Sequence, residues 1–577
     1  MKPRYILHIL AVLFLLAQTG YAASNNQEAN FNKIKESWEL SADGSQIYRY
    51  RKELKIFTHT AMNNTYGETF ITYNPRCQKL KINESYTIQT DGSIVKHPQN
   101  AFVEVLPENA AKMPAYNHLK EMVVVHTGLE LGATIVLDYT IESAAGYLPE
   151  IDICKPLLET SPITDYEMQF AFPKAKAPHY QLMAQQAEPA KSVQDDKQIL
   201  TFRFQHLPAM PRDVESHIEN GDIPAIAFSS YTKNEKALNR IFMQFDSAKE
   251  LKELTQQVIG DKKNNAEKME TIHQYVISNI VVSPLSFNVT GFRFRPAKEV
   301  IASAYATEME KVNILYGMLK AAGLNATPLA AYNLDVNENV LGLNAVNKWL
   351  IKVTDKGNTY YLDALSTNHA AATSAFMVAL NNGKKELTSE KNHRIAYTAD
   401  INFTEGKPVA TVSANFSKDM LPNYGVSSSK FLSLNESKDS DKNTGSFKGT
   451  SAVDYQKIGN IHILTLPETS ADANHKKYAS YNKERLTNLM LPCLFNETYE
   501  YKIHLPQGIT FHSKEVSKDI SKSCGNVSIQ IKKEGNSVVV KRSLDIHKRL
   551  ITPEEYADFI KMMAEWNDPH MRQIILK

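Results

Sequence analysis

The chain has 577 residues, of which 43% are hydrophobic and 22% charged, enough for three or four domains at roughly 150 residues each. Setting aside residues 1–22 as a leader removes Lys2 and Arg4 and leaves 63 basic against 63 acidic residues. That neutrality, with no basic run, excludes nucleic-acid binding by counterion release and gives no electrostatic reason to dock on an acidic membrane.

The N-terminus "MKPRYILHILAVLFLLAQTGYAAS" carries Lys2 and Arg4, an apolar run from Ile6 to Ala17, and small residues Gly20 and Ala22 where a signal peptidase reads. It reads as a secretion signal, with an uncleaved anchor as the alternative. The apolar run is shorter than the roughly 20 residues of a spanning helix, no cysteine follows it to carry a lipid, and no later segment is apolar enough to span a bilayer. The expected location is therefore outside the cytoplasm. Four cysteines, Cys77, Cys154, Cys493 and Cys524, stand at no metal or redox spacing. The economical pairing in an oxidising compartment joins Cys77 to Cys154 and Cys493 to Cys524, although a large core needs no staples and buried thiols fit as well.

Residues 23–240 read mostly as strands. "YRYRKELKIFTH", "KLKINESYTIQTDGSIVKH" and "ATIVLDYTIES" are rich in β-branched and aromatic residues, with "TDGS" as a turn, and "AQQAEPAKSVQDDKQ" (184–198) reads as a loop. A β-sandwich is expected here. Helical spacing follows: Asp246 or Ser247 caps Leu251, Leu254 and Val258, with Gly260 as the stop, and Met269, Ile272, Val276 and Ile280 form a second stripe. His273 falls just off that stripe and reads as a surface residue. A third helix carries Met309, Val312, Tyr316 and Leu319 and ends at Gly323. "KWLIKVTDKGNTYYLDAL" reads as a hairpin turning at Lys356 and Gly357. Beyond about residue 390 strands dominate again, broken by the low-complexity "NESKDSDKNTGSFKGTS", and Thr552, Pro553 and Glu555 open a terminal helix. No internal repeat is visible.

The succession "EKMETIHQYVISNI", "RPAKEVI", a helix ending "MLKAAGL" and strands ending "YYLDA" resembles the bacterial transglutaminase-like family, a papain-type cysteine fold. The resemblance spans residues 246–364. It implies a multidomain α+β protein, with an N-terminal β-sandwich (23–240), a transglutaminase-like domain (241–375) and a β-rich C-terminal domain ending in a helix (376–577). Where the family has a stretch like "RYGDCKDKATLLVALLRAAGI", this chain has "AYATEMEKVNILYGMLKAAGL", which places Glu308 at the nucleophile. Lys348 falls at the base, in "VNK", and Asp363 at the orienting aspartate. Only Asp363 keeps the family's residue type. The flanks "YNHLKEMVVVHTGLELGATIVLDYTIE", "DVESHIENGDIPAIAFSS" and "YEYKIHLPQGITF" to "QIILK" resemble the uncharacterised domains that usually surround such a unit. The lysine- and asparagine-rich style resembles that of Bacteroidetes proteins, a resemblance that would make triplets such as Asn63 to Thr65 and Asn402 to Thr404 inert as glycosylation sites.

A thiolate is what a cysteine protease or transglutaminase needs, with an imidazole to move its proton. No cysteine lies between Cys154 and Cys493, and no histidine between His273 and His369. Thr307 and Glu310 form a capping box, which accounts for Thr307 without a nucleophilic role. Glu308 and Asp363 could be a carboxylate pair for glycoside hydrolysis, but a lysine between them would hold both ionised. The plainer expectation is a Glu308, Lys348, Asp363 ion network, with the last two diagonal neighbours on one hairpin face. A shift of one residue in that hairpin would reverse the parity. Sites around Ser303 or His369 are the remaining possibility.

Phosphate loops, dinucleotide fingerprints, HExxH and calcium loops are absent from the sequence. The expectation is an exported, catalytically degenerate protein of the periplasm or cell surface, without a cofactor, whose cleft binds a polypeptide, peptidoglycan or glycan. An active hydrolase or transferase using Glu308 and Asp363 is its rival.

Overall fold

The structure is a computed structural model that describes residues 27–213, 223–245, 248–333, 340, 342–366, 376–380, 385–387, 392–417, 436–437, 445–469, 478, 484–491 and 493–577. The leader, the proposed cap residues Asp246 and Ser247, and His369 lie outside them. The protein is multidomain and rich in β structure, with few helices. No helix among the described residues is long and apolar enough to cross a membrane.

The first large sheet has eight strands, and one device organises it. Its first strand, Ala29–Leu40, pairs antiparallel with Gln46–Ile56 on one side and parallel with Ile163–Pro173 on the other. A second eight-stranded sheet repeats the device with Asn392–Thr404, between antiparallel Lys407–Phe416 and parallel Leu494–His504. In both sheets this is the sole parallel pair among the described strands.

Period-two patterning decides which face each strand buries. Phe170 and Phe172 of Ile163–Pro173 are fully buried, and Phe228 of Ala225–Ser229 stacks on Phe170 with ring centroids 3.9 Å apart. All five residues of Ala225–Ser229 are buried. Its Ile226 and Phe228 enter the N-terminal core, while Ala225 and Ala227 enter the core of the central unit. The strand is thus a shared wall, and small alanines on one side let the central helices approach.

Two segments depart from the sequence reading. Residues 190–194, expected in a loop, form an edge strand on Lys197–Leu207, turned by Asp195 with φ of 52°. An edge strand needs a partner on one side only, so a fully exposed stretch suffices. The low-complexity segment likewise contributes strands Glu436–Ser437 and Ser446–Ala452.

The central unit stacks helices Lys252–Ile259, Asn265–Asn279 and Glu308–Ala321 against a five-stranded antiparallel sheet. Met309, Val312, Leu315 and Met318 of the last helix bury against Ala330, Ile351, Val353 and Leu362 of the sheet. The helix Pro553–Trp566 packs on the C-terminal sheet through Tyr556, Phe559, Met562, Met563 and Trp566. No disulfide links Cys77, Cys154, Cys493 or Cys524. Cys493 and Cys524 are both buried in the C-terminal core, which is large enough to hold without a staple.

Candidate functional site

The site lies where Glu308–Ala321 meets the strands Lys348–Asp355 and Asn358–Asp363. Thr307 begins the helix: its Oγ1 accepts from the Glu310 amide at 3.4 Å, and its own amide donates to Glu310 Oε2 at 2.9 Å. This capping box places Glu308 as the first helical residue. The two strands turn through Lys356 and Gly357, with φ of 48° and 84°, between the paired Asp355 and Asn358. A lone β-carbon strains at such positive φ, and glycine supplies one of the two residues that a tight hairpin of this kind requires. The register sets Leu350 opposite Asp363, so Lys348 is the diagonal neighbour of Asp363. Lys348 Nζ donates to Asp363 Oδ2 at 3.2 Å.

Asp363 is buried, and its other acceptors are used as well. Oδ1 takes the Leu365 amide at 2.8 Å, and the backbone carbonyl takes His273 Nε2 at 2.7 Å. His273 is therefore no surface residue; it is 2% exposed. The spacing Met269, His273, Val276, Ile280 already puts it at i+4 on the buried face, a signal lost by drawing the stripe through Ile272 alone. Donation to a carbonyl fixes a proton on Nε2. Burial pushes the imidazole below its usual range, with Asp363 opposing and Lys311 assisting. Lys311, one turn beyond Glu308, is also buried, donates to the Ile277 carbonyl at 3.4 Å, and is lowered by burial against the pull of Asp363.

Glu308 does not close the expected network. Among the described residues it lies within 4.0 Å of neither Lys348 nor Lys311, although both the Asp363 and Lys348 charges reach it. Burial, then Asp363, push its carboxyl up to about 7, against a smaller opposing effect of Lys348. This corrects the expectation that Lys348 holds both carboxylates ionised. Lys348 is spent on Asp363, and desolvation dominates at Glu308. Near neutral pH, Glu308 can hold and give up a proton.

Two residues along the helix, Glu310 centres a second cluster that carries no signal in the sequence. Arg295 donates from Nε and Nη2 to the two Glu310 oxygens at 3.0 Å each, and its amide donates to Oε1 at 2.9 Å. The Tyr116 hydroxyl, from the N-terminal part of the chain, adds a 2.9 Å bond to Oε2. The guanidinium lies over the rings of Tyr116 and Tyr305. Arg295 also donates to Ser303 Oγ at 3.1 Å while that hydroxyl donates to the Val300 carbonyl. Ser303 is thus a structural hydroxyl, and partners 190 or so residues apart leave no local sequence signal. No group of three or more His, Cys, Asp or Glu among the described residues is placed to hold a metal ion.

Residues 42–211 match a domain of unknown function with a solved structure (DUF3857), and residues 462–576 match another (DUF3858). No curated protein matches the chain. Among solved structures, a Parabacteroides distasonis ATCC 8503 protein described as a "putative protease" shares 32% identity, with a TM-score of 0.76 over 95% of this chain and 99% of its own. A Cytophaga hutchinsonii protein described as a "putative cysteine protease" aligns at 11% identity and a TM-score of 0.20, over 52% of this chain and 95% of its own.

Proposed function

We infer from two premises, that the chain belongs to the family of the Parabacteroides distasonis protein and that a glutamate opens its site helix, that this protein binds a partner in its cleft without acyl transfer. The reading is of an exported, degenerate transglutaminase-like protein, acting as a binding or scaffolding module in the periplasm or at the cell surface of a Gram-negative bacterium of Bacteroidetes type. One observation carries it. The helix start that would have to present a thiolate presents Glu308, and the sequence has no cysteine from residue 155 to 492. A carboxylate cannot form the thioester that such chemistry passes through.

A papain-type groove holds an extended chain along its length, so the partner is a polypeptide, peptidoglycan or glycan strand; this step is analogy. Export rests on the charged, apolar and small-residue pattern of residues 1–22. Cross-linking in cells followed by mass spectrometry tests the reading. A partner enriched over an unrelated exported protein, and reduced by Glu308→Arg in the cleft, supports it; enrichment equal to the control counts against it.

The raised carboxyl of Glu308 favours one rival, an active hydrolase or transferase in which Glu308 serves as general acid beside Asp363. Glu308→Gln separates the two. Under the rival, any turnover found for the wild type falls by about 100-fold or more; unchanged turnover removes the rival.

A further inference from the structure

We propose that a cavity of about 420 Å³, at the junction of the small N-terminal sheet and the 284–289 segment, recognises an extended polypeptide carrying Lys or Arg beside an apolar side chain. The proposal does not rest on the reading of the Glu308 cleft.

The small sheet pairs Glu68–Tyr73 with Lys120–Val125, and that strand with Phe102–Val105. Alternation turns Ile71 and Val124 inward onto Leu137. The same alternation leaves a cross-strand row of Phe70, Val123 and Val103 on the other face, with Thr72, Glu121 and Val105 beside it. Phe70 is 58% and Val103 45% exposed. Phe70, Pro284, Leu285 and Val289 line the cavity together with Pro107, Glu108 and Asn109. An exposed aromatic at the mouth of a cavity of this size is how binding sites look, since scattered surface apolar residues do not build one.

Charge narrows the ligand. The only charged lining residues are Glu108 and Glu121, and no Lys, Arg or His lines the cavity. Among the described residues neither acid makes an ion pair, and Glu121 accepts a 3.1 Å hydrogen bond from the Thr72 hydroxyl. A mixed lining, with Phe70, Pro284, Leu285 and Val289 beside Thr72, Asn109, Ser286 and the two carboxylates, suits an alkyl stem that ends in a cation, as in Lys and Arg. The backbone argues for a polypeptide over a small amine. Glu68–Tyr73 is an edge strand, hydrogen-bonded to one neighbour only, and an edge that carries an exposed aromatic beside a cavity accepts an added strand. From Asn109 the chain runs on to Met113 and Tyr116, which pack with Leu285, and the Tyr116 hydroxyl reaches Glu310.

The test uses the full chain and two fluorescent, amidated pentapeptides, Gly-Val-Lys-Val-Gly and its Glu counterpart, followed by fluorescence anisotropy at low and high salt. The Lys peptide should bind about 10-fold more tightly at low salt, with the preference shrinking at high salt. Phe70→Ala and Glu121→Gln should each weaken binding about 5-fold or more without lowering the melting temperature, because both side chains meet solvent. Equal binding of the two peptides, or wild-type binding by both variants, would overturn the proposal. Selective binding of a glucosamine oligomer, or a dimer dissolved by Phe70→Ala, would overturn it too.

Discussion

Replacing Glu308 by Gln should stabilise the chain above neutral pH and change little in acid. Folding moves this carboxyl from its ordinary 4.5 up to about 7, mainly by burial. The folded state therefore holds the proton more tightly than the unfolded one, and folding is unpenalised below the unfolded value. Stability is lost as pH rises from there through the folded value, and the full penalty stands above it. At about 1.4 kcal/mol per pKa unit the ceiling is about 3 kcal/mol, less whatever solvent reaching the half-buried side chain removes. Gln keeps the shape and never ionises. Urea unfolding at about pH 5 and about pH 8 can be followed through Trp349, which is buried in the central core beside Lys348. The variant should exceed the wild type by no more than about 1 kcal/mol at the lower pH and by about 2–3 kcal/mol at the higher. A gap of equal size at both pH values, or a variant weaker at the higher pH, would refute the reasoning.

Arg295→Met should cost about 3–5 kcal/mol, because it strands the 1%-exposed Glu310 carboxylate without its cation; a loss below about 1 kcal/mol in denaturant would show that Tyr116 and the helix cap suffice. His273→Phe removes the donor to the Asp363 carbonyl and should cost about 1–3 kcal/mol. It should also speed amide exchange at Leu365 and Ser366, and unchanged exchange there would deny His273 a positioning role. A β-carbon on Gly342 would overlap the Asp152 carboxylate, which accepts the Leu343 and Asn344 amides. Gly342→Ala should therefore lower the melting temperature by several degrees, whereas Gly260→Ala, with open space around it, should act only through its backbone conformation.

Local chemistry was legible in the sequence and distant partnership was not. The Thr307 box, the Lys356-Gly357 turn and the Lys348 to Asp363 diagonal each depend on residues within about one turn or one hairpin, and each stands in the structure. The placement of Glu308 could be read, but its isolation could not, because burial by the surrounding fold, and not spacing, sets its proton affinity. Arg295, Glu310 and Tyr116 meet across 194 residues of chain. His273 was legible too: two stripes at helical spacing run through Met269, one by Ile272 and one by His273, and the helix buries both. The 190–194 strand has no apolar pattern because an exposed edge needs none.

The most direct test of the central claim is to incubate the full chain near neutral pH with a pool of peptides rich in glutamine and lysine, and to read all products by mass spectrometry. The account predicts peptides recovered intact, with some retained on the protein and neither cleavage nor isopeptide cross-links above a no-protein control. Cleaved or cross-linked products that vanish in Glu308→Gln would contradict it and make this cleft an active site.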